Sequence, residues 1–135
     1  MPLSPDSART AGILLLTLVG VAYGGTFILR VSRGRAPATE FQRRFFRAGH
    51  AHAGVFVTLA LVTTMLADAA RLPAVLEVVA RQGVPLAAVL VPAGFFLSAA
   101  GRGRETPSRW IVLLWCGLAA LVLGLTSLGV GLLRA

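Results

Sequence analysis

The segment Phe41-Gln42-Arg43-Arg44-Phe45-Phe46-Arg47-Ala48-Gly49-His50-Ala51-His52-Ala53-Gly54 holds both histidines of the chain, with three arginines and three phenylalanines, at the mouth of a long apolar run. Imidazole ligates metals and exchanges protons near neutral pH. Guanidinium recognises carboxylates and phosphates through paired donors. Two chemistries are therefore open: metal ligation by His50 and His52, and capture of an anion by Arg44, Arg47 and a histidine.

Spacing separates the two. Residues two apart on a regular helix diverge by about 200°, so His50 and His52 cannot grip one ion from the same helix. Helical metal pairs use spacings of three or four, and no Cys-x-x-Cys or Glu-x-x-His pattern completes a site. A metal or haem held by His50 and His52 then requires protomers to meet at an oligomer axis. The anion reading needs only one inward histidine. His50 lies about 4.5 Å along the axis from Arg47, and His52 about 7.5 Å, so both sit near a membrane rim. His50 shares a stripe with Gly54 and Val57, which leaves room beside its ring, and is the expected inward residue. Arg44, Arg47 and His50 would hold a polar head, with an apolar tail between helices.

Other chemistry has little foothold. There is no serine elbow, no Gly-rich phosphate loop and no paired carboxylate in an apolar run, which excludes hydrolase and kinase designs. Coupled exporters keep a membrane-embedded carboxylate, and none is present here. Cys116 stands alone in an apolar run, can form no intrachain disulfide and is expected as a small buried residue. Tyr23, deep in the first apolar run, needs a partner for its hydroxyl, either a ligand or a neighbouring helix.

The elements that position these residues follow from composition. The chain has 135 residues, 56% hydrophobic and 13% charged, with a mean hydropathy of +0.80. A soluble domain carries about 25% charged residues; an apolar excess this large needs lipid to cover it. Four uncharged or nearly uncharged runs, 11–29, 48–67, 84–101 and 110–133, each approach the roughly 20 residues that cross a bilayer as a helix. In lipid the backbone must satisfy its own hydrogen bonds, and helices do so. The expected fold is all-α: an integral membrane four-helix bundle in one transmembrane domain spanning 1–135. Residues 73–82 read as a separate interfacial helix, with Pro73 at its start, Gly83 as its stop and Glu77 one turn from Arg81.

All 13 basic residues are arginine, a bias that points to a GC-rich bacterial genome. Arg30, Arg33, Arg35, Arg43, Arg44 and Arg47 fall in the first connection, and Arg102, Arg104 and Arg109 in the third. Only Arg9, Arg71, Arg81 and Arg134 lie opposite. The positive-inside rule puts the richer end in the cytoplasm and both termini outside the inner membrane. A cleaved leader is not expected, because Asp6 offsets Arg9. The net charge of +8 is spread over short connections, so membrane lipids with anionic headgroups are the expected partners and nucleic acid is not. Phe27-Ile28-Leu29 with Arg33-Gly34-Arg35 echoes Phe96-Leu97-Ser98 with Arg102-Gly103-Arg104, the pattern of two tandem helical hairpins. Gly20/Gly24, Gly49/Ala53, Gly94/Ser98 and Ala120/Gly124 have the spacing that lets helices approach closely, within a chain or between protomers of a homo-oligomer.

The layout of four spans, a basic first connection and Arg47-Ala48 opening the second helix resembles the membrane-associated proteins in eicosanoid and glutathione metabolism (MAPEG). That resemblance implies a trimer, glutathione as cosubstrate, Arg47 on a carboxylate and Arg104 or Arg109 activating a thiolate. Ala51, Gly54 and Val55 stand where that family carries Asn, Glu and often Tyr. Three functional readings follow. The first is a non-catalytic oligomeric protein binding an anionic or lipid-like ligand with Tyr23, Arg44, Arg47, His50, Arg104 and Arg109. The others are a glutathione-dependent transferase, and a channel or metal-binding protein using His50 and His52 across protomers.

Overall fold

The computed structural model describes residues 3–135 and consists of α1 (Pro5–Ser32), α2 (Glu40–Ala67), α3 (Ala74–Ala99) and α4 (Val112–Leu133); a single 3-10 turn, Arg109–Ile111, leads into α4. All four helices are long and apolar enough to cross a membrane. The chain is an all-α, multi-pass bundle.

Local sequence sets most boundaries. Ser4 caps α1 by accepting from the Ser7 amide at 3.2 Å, with Pro5 behind it in the first turn. At the other end the Arg35 amide donates to Arg30 O at 2.9 Å and the Gly34 amide to Val31 O at 3.1 Å. This paired closure needs a left-handed residue, and Gly34 supplies it with φ 68°. Thr39 and Gln42 form a reciprocal capping box on α2, at 3.1 and 3.0 Å.

One boundary differs from expectation. Residues 73–82 are not a separate interfacial helix; they are the first turns of α3, which runs unbroken through Pro85 and Pro92. Gly83 reads in sequence as a stop but serves as a contact. A Cβ there would lie 2.6 Å from Gly124 Cα and 2.7 Å from Ala120 O, so the α3 and α4 backbones meet at this point. The meeting lies two residues before Pro85, whose missing amide removes one bond from the helix. The expected Glu77–Arg81 pair forms, at 3.0 Å.

Packing is uneven. Helix α3 lies against both α2 and α4, and Gly94 and Gly117 extend their close seam: added Cβ atoms would fall 2.5 Å from Leu114 N and 2.6 Å from Val91 Cγ2. Helix α1 packs mainly along α2 and reaches α3 through the Ser7 and Leu14 side chains, and only Ser7, Ala11, Leu14 and Val31 of it are buried. Leu14 joins Val57, Ala60, Val84 and Ala88 in the main apolar cluster. Cys116 is exposed on α4 rather than buried, because the α4 contact stripe carries Leu114, Gly117 and Gly124 instead.

Polar clamps close the two ends. At the arginine-rich end the buried Gln42 amide donates to Ala99 O at 2.9 Å and Gly101 O at 2.6 Å, and the Thr39 hydroxyl donates to Arg104 O at 2.5 Å. Carbonyls that the end of α3 leaves unpaired are thus satisfied by the start of α2. At the other end Asp68, capping α2, gathers α1 and α3, as described below.

Candidate functional site

His50 sits where α2 faces α1. Gly24 and Gly25 on α1 make the room: a Cβ on Gly25 would lie 3.4 Å from His50 Nε2, and one on Gly24 would lie 4.0 Å from Nδ1. The half-buried ring makes no hydrogen bond to any described residue. It opens onto a groove of about 440 Å³ between α1 and α3, floored by His50 and Ala53 of α2. Thr17, Gly20, Val21 and Gly24 form one wall, and Phe96 of α3 the other. Phe27, Phe46 and Phe96 close its arginine-rich end, with ring centroids 5.4 and 5.7 Å apart. The Thr17 hydroxyl is turned back onto Ile13 O at 2.8 Å. No charged residue lines the groove.

His52 faces the other way, as the two-residue spacing requires. Its ring lies 5.1 Å from Phe95 and 5.4 Å from Phe56, and Nδ1 is 2.8 Å from Ala48 O. That contact fixes the proton on Nδ1, since a carbonyl can only accept. One histidine thus faces α1 and the other α3. Among the described residues no three metal-ligating side chains cluster.

The other candidate residues are dispersed. Arg47 is exposed and pairs with no described carboxylate. Arg44 is held by Glu40 at 2.9 Å, as is Arg43. Arg104 donates to Ala100 O at 3.0 Å, and the Arg109 guanidinium lies over the Trp110 ring at 5.7 Å. These last two share a separate depression with Leu97 and Ser108. Tyr23 is 78% exposed and has no partner for its hydroxyl among the described residues, because its side of α1 points away from α2. Of the six candidate ligand residues, the groove takes only His50.

The polar cluster around Asp68 was not anticipated. Asp68 accepts from the Ser4 amide and hydroxyl, both at 2.9 Å, from the Ser7 hydroxyl at 2.8 Å and from Arg81 Nη1 at 2.9 Å. The Ser4 amide, then the Arg81 guanidinium and the two serine hydroxyls, hold its carboxyl well below the usual carboxylate range. Ser4 and Asp68 are 64 residues apart, and nothing local in the sequence reveals that one reaches the other.

Comparison with known protein families, curated proteins and solved structures finds no match.

Proposed function

We propose that this chain is a small membrane protein that binds a lipid-like ligand in the α1–α2–α3 groove, with His50 as the single polar contact. One observation carries the reading: an imidazole without a hydrogen-bond partner among the described residues stands in a groove whose described lining is otherwise apolar and free of charge. Ligand sites combine apolar walls with a few placed polar groups, and a half-buried polar group without a partner favours an occupant that supplies one. The absence of an arginine from the groove favours an uncharged hydrogen-bonding group beside His50. Any anionic portion of the ligand would reach past the phenylalanine cluster towards Arg47.

The proposal orients the arginine-rich end to the cytoplasm of a bacterial inner membrane, on the positive-inside rule. It also includes self-association, supported by the sparse burial of α1.

The test uses Gly20→Leu and His50→Phe. A Cβ on Gly20 meets nothing within 4 Å, so leucine fills the groove without disturbing helix packing. Protein purified in mild detergent is examined by native mass spectrometry. The wild type carries a lipid adduct, Gly20→Leu loses it, and His50→Phe retains at most a small fraction. An equal adduct in wild type and Gly20→Leu overturns the proposal. The same spectra give the oligomeric state.

A further inference from the structure

A second pocket, of about 250 Å³, lies on the same α1–α3 seam at the opposite end of the bundle. Its wall includes Asp6, Arg9, Thr10, Thr64, Arg81 and Gln82. Arg81 is committed to Asp68 and Glu77. Asp6 and Arg9 are not committed: both are exposed, and neither has an ion-pair partner among the described residues, including each other. Thr64 adds an independent sign of an occupant. It is only 5% exposed, and its Oγ1 is buried with no hydrogen-bond partner among the described residues. Its neighbour Thr63 bonds back to Leu59 O and Ala60 O in the ordinary way of a helical threonine. A buried hydroxyl left open in the wall of a polar pocket calls for a polar guest.

We infer that this pocket binds the zwitterionic headgroup of a phospholipid bearing a primary ammonium. Arg9 and the Thr10 hydroxyl match the phosphate, and Asp6 matches the ammonium, whose three N–H donors it can accept. A purely anionic headgroup would set its charge against Asp6. A trimethylated ammonium has no N–H to give. The wider charge pattern agrees. This end carries Arg9, Arg71, Arg81 and Arg134 against Asp6, Asp68 and Glu77, a net charge of +1, whereas nine arginines against Glu40 and Glu105 leave +7 at the other. Anionic lipid is drawn to the far end, and this end is left to a neutral headgroup. The tail also fits. Thr10 and Gly20 are ten residues apart, about 15 Å along α1, which is about half of a 30 Å hydrocarbon core. Leu14, packed against Val84 and Ala88, closes the seam between the two pockets, so a tail from this head lies over the lipid-facing surface and ends at the depth where the His50 groove begins. The two sites are stacked without overlap, and this inference does not depend on the groove being occupied.

The test is native mass spectrometry of Gly20→Leu, whose filled groove leaves this pocket as the seam's open site, in mixed phosphatidylethanolamine, phosphatidylcholine and phosphatidylglycerol. The parent prefers ethanolamine over choline by about five-fold, the scale of one net hydrogen bond. Asp6→Asn brings that ratio to parity, and Arg9→Gln lowers total phospholipid bound by about five-fold. Neither side chain belongs to the Asp68 cluster, so melting temperatures stay within about 2 °C of the parent. An ethanolamine preference unchanged by Asp6→Asn, or phospholipid occupancy unchanged by Arg9→Gln, overturns the inference. A number of bound lipids that Gly20→Leu leaves equal to wild type, with binding that still answers to Asp6→Asn, overturns the groove proposal instead and supports this one.

Discussion

Replacing Asp68 with Asn tests what holds α1 to the rest of the molecule. Asp68 Oδ1 receives the hydroxyls of Ser4 and Ser7 and Arg81 Nη1, and Oδ2 receives the Ser4 amide. An asparagine oxygen can keep the first set as a neutral acceptor. Its NH₂ group then confronts the Ser4 N–H, one donor against another. Hydrogen bonds to charged groups contribute about 1.5–3 kcal/mol each. Arg81 keeps Glu77 at 3.0 Å and is 27% exposed, so solvent recovers part of the loss. The net cost is about 2–3 kcal/mol, or about 5–10 °C in a thermal melt. Hydrogen exchange in detergent adds the location: amides from Asp6 to Leu14 lose protection, while those around Gly83 and Gly124 do not. A double-mutant cycle with Arg81→Gln yields a coupling of about 1–2 kcal/mol. The pH dependence has a fixed sign. A carboxyl depressed on folding stabilises the fold fully above its ordinary value of about 4 and loses that contribution as pH falls towards the folded value. Wild-type stability therefore keeps this group's full contribution, unchanged with pH, between pH 5 and 8 and declines below about pH 4, and Asp68→Asn lacks that decline. A melt within 1 °C of wild type, or exchange unchanged in α1, refutes the reasoning.

Gly124→Val places a side chain 2.9 Å from Gly83 Cα and 3.1 Å from Val84 N, where no backbone can yield. It costs more than about 3 kcal/mol, seen as loss of monodisperse protein on size exclusion. Gly20→Leu melts as wild type does. Gln42→Ala removes both donors from Ala99 O and Gly101 O and one half of the α2 cap. It lowers stability by about 2 kcal/mol, with new exchange at the end of α3.

What the sequence made legible was whatever depends on short range. Four apolar runs gave four helices, and Glu77 gave its pair with Arg81 one turn on. The opposed directions of His50 and His52 followed from helical geometry alone. Long-range partnering was not legible. Gly83 has the same local signature as a helix stop, and only the arrival of Gly124 makes it a contact. Gly20 and Gly24 have the same spacing as Ala120 and Gly124, yet Gly124 brings two backbones together while Gly20 faces open space. Tyr23 was misjudged because depth along a span says nothing about which side of the helix faces a neighbour. Arg44 and Arg47 are sequence neighbours of the histidines, and Arg104 and Arg109 belong to the third connection at the same end, but one helical turn carries about 5.4 Å, and none of them lines the groove.

The groove itself follows from the way α1 is attached. One end is tied to α2 and α3 by Ser4, Ser7, Asp68 and Arg81, and the other is tied by Phe27 against Phe46. Between Leu14, which packs against Val84 and Ala88, and Phe27, α1 offers Thr17, Gly20, Val21 and Gly24 to the groove, side chains too small to close it. A helix fixed at both ends and narrow in the middle must leave a gap there, and the floor of that gap falls on His50. Enlarging α1 at Gly20 closes the gap without loosening either tie, whereas Asp68→Asn loosens a tie without filling the gap. If both substitutions abolish ligand binding but only the second lowers the melting temperature, the groove is a product of the attachment.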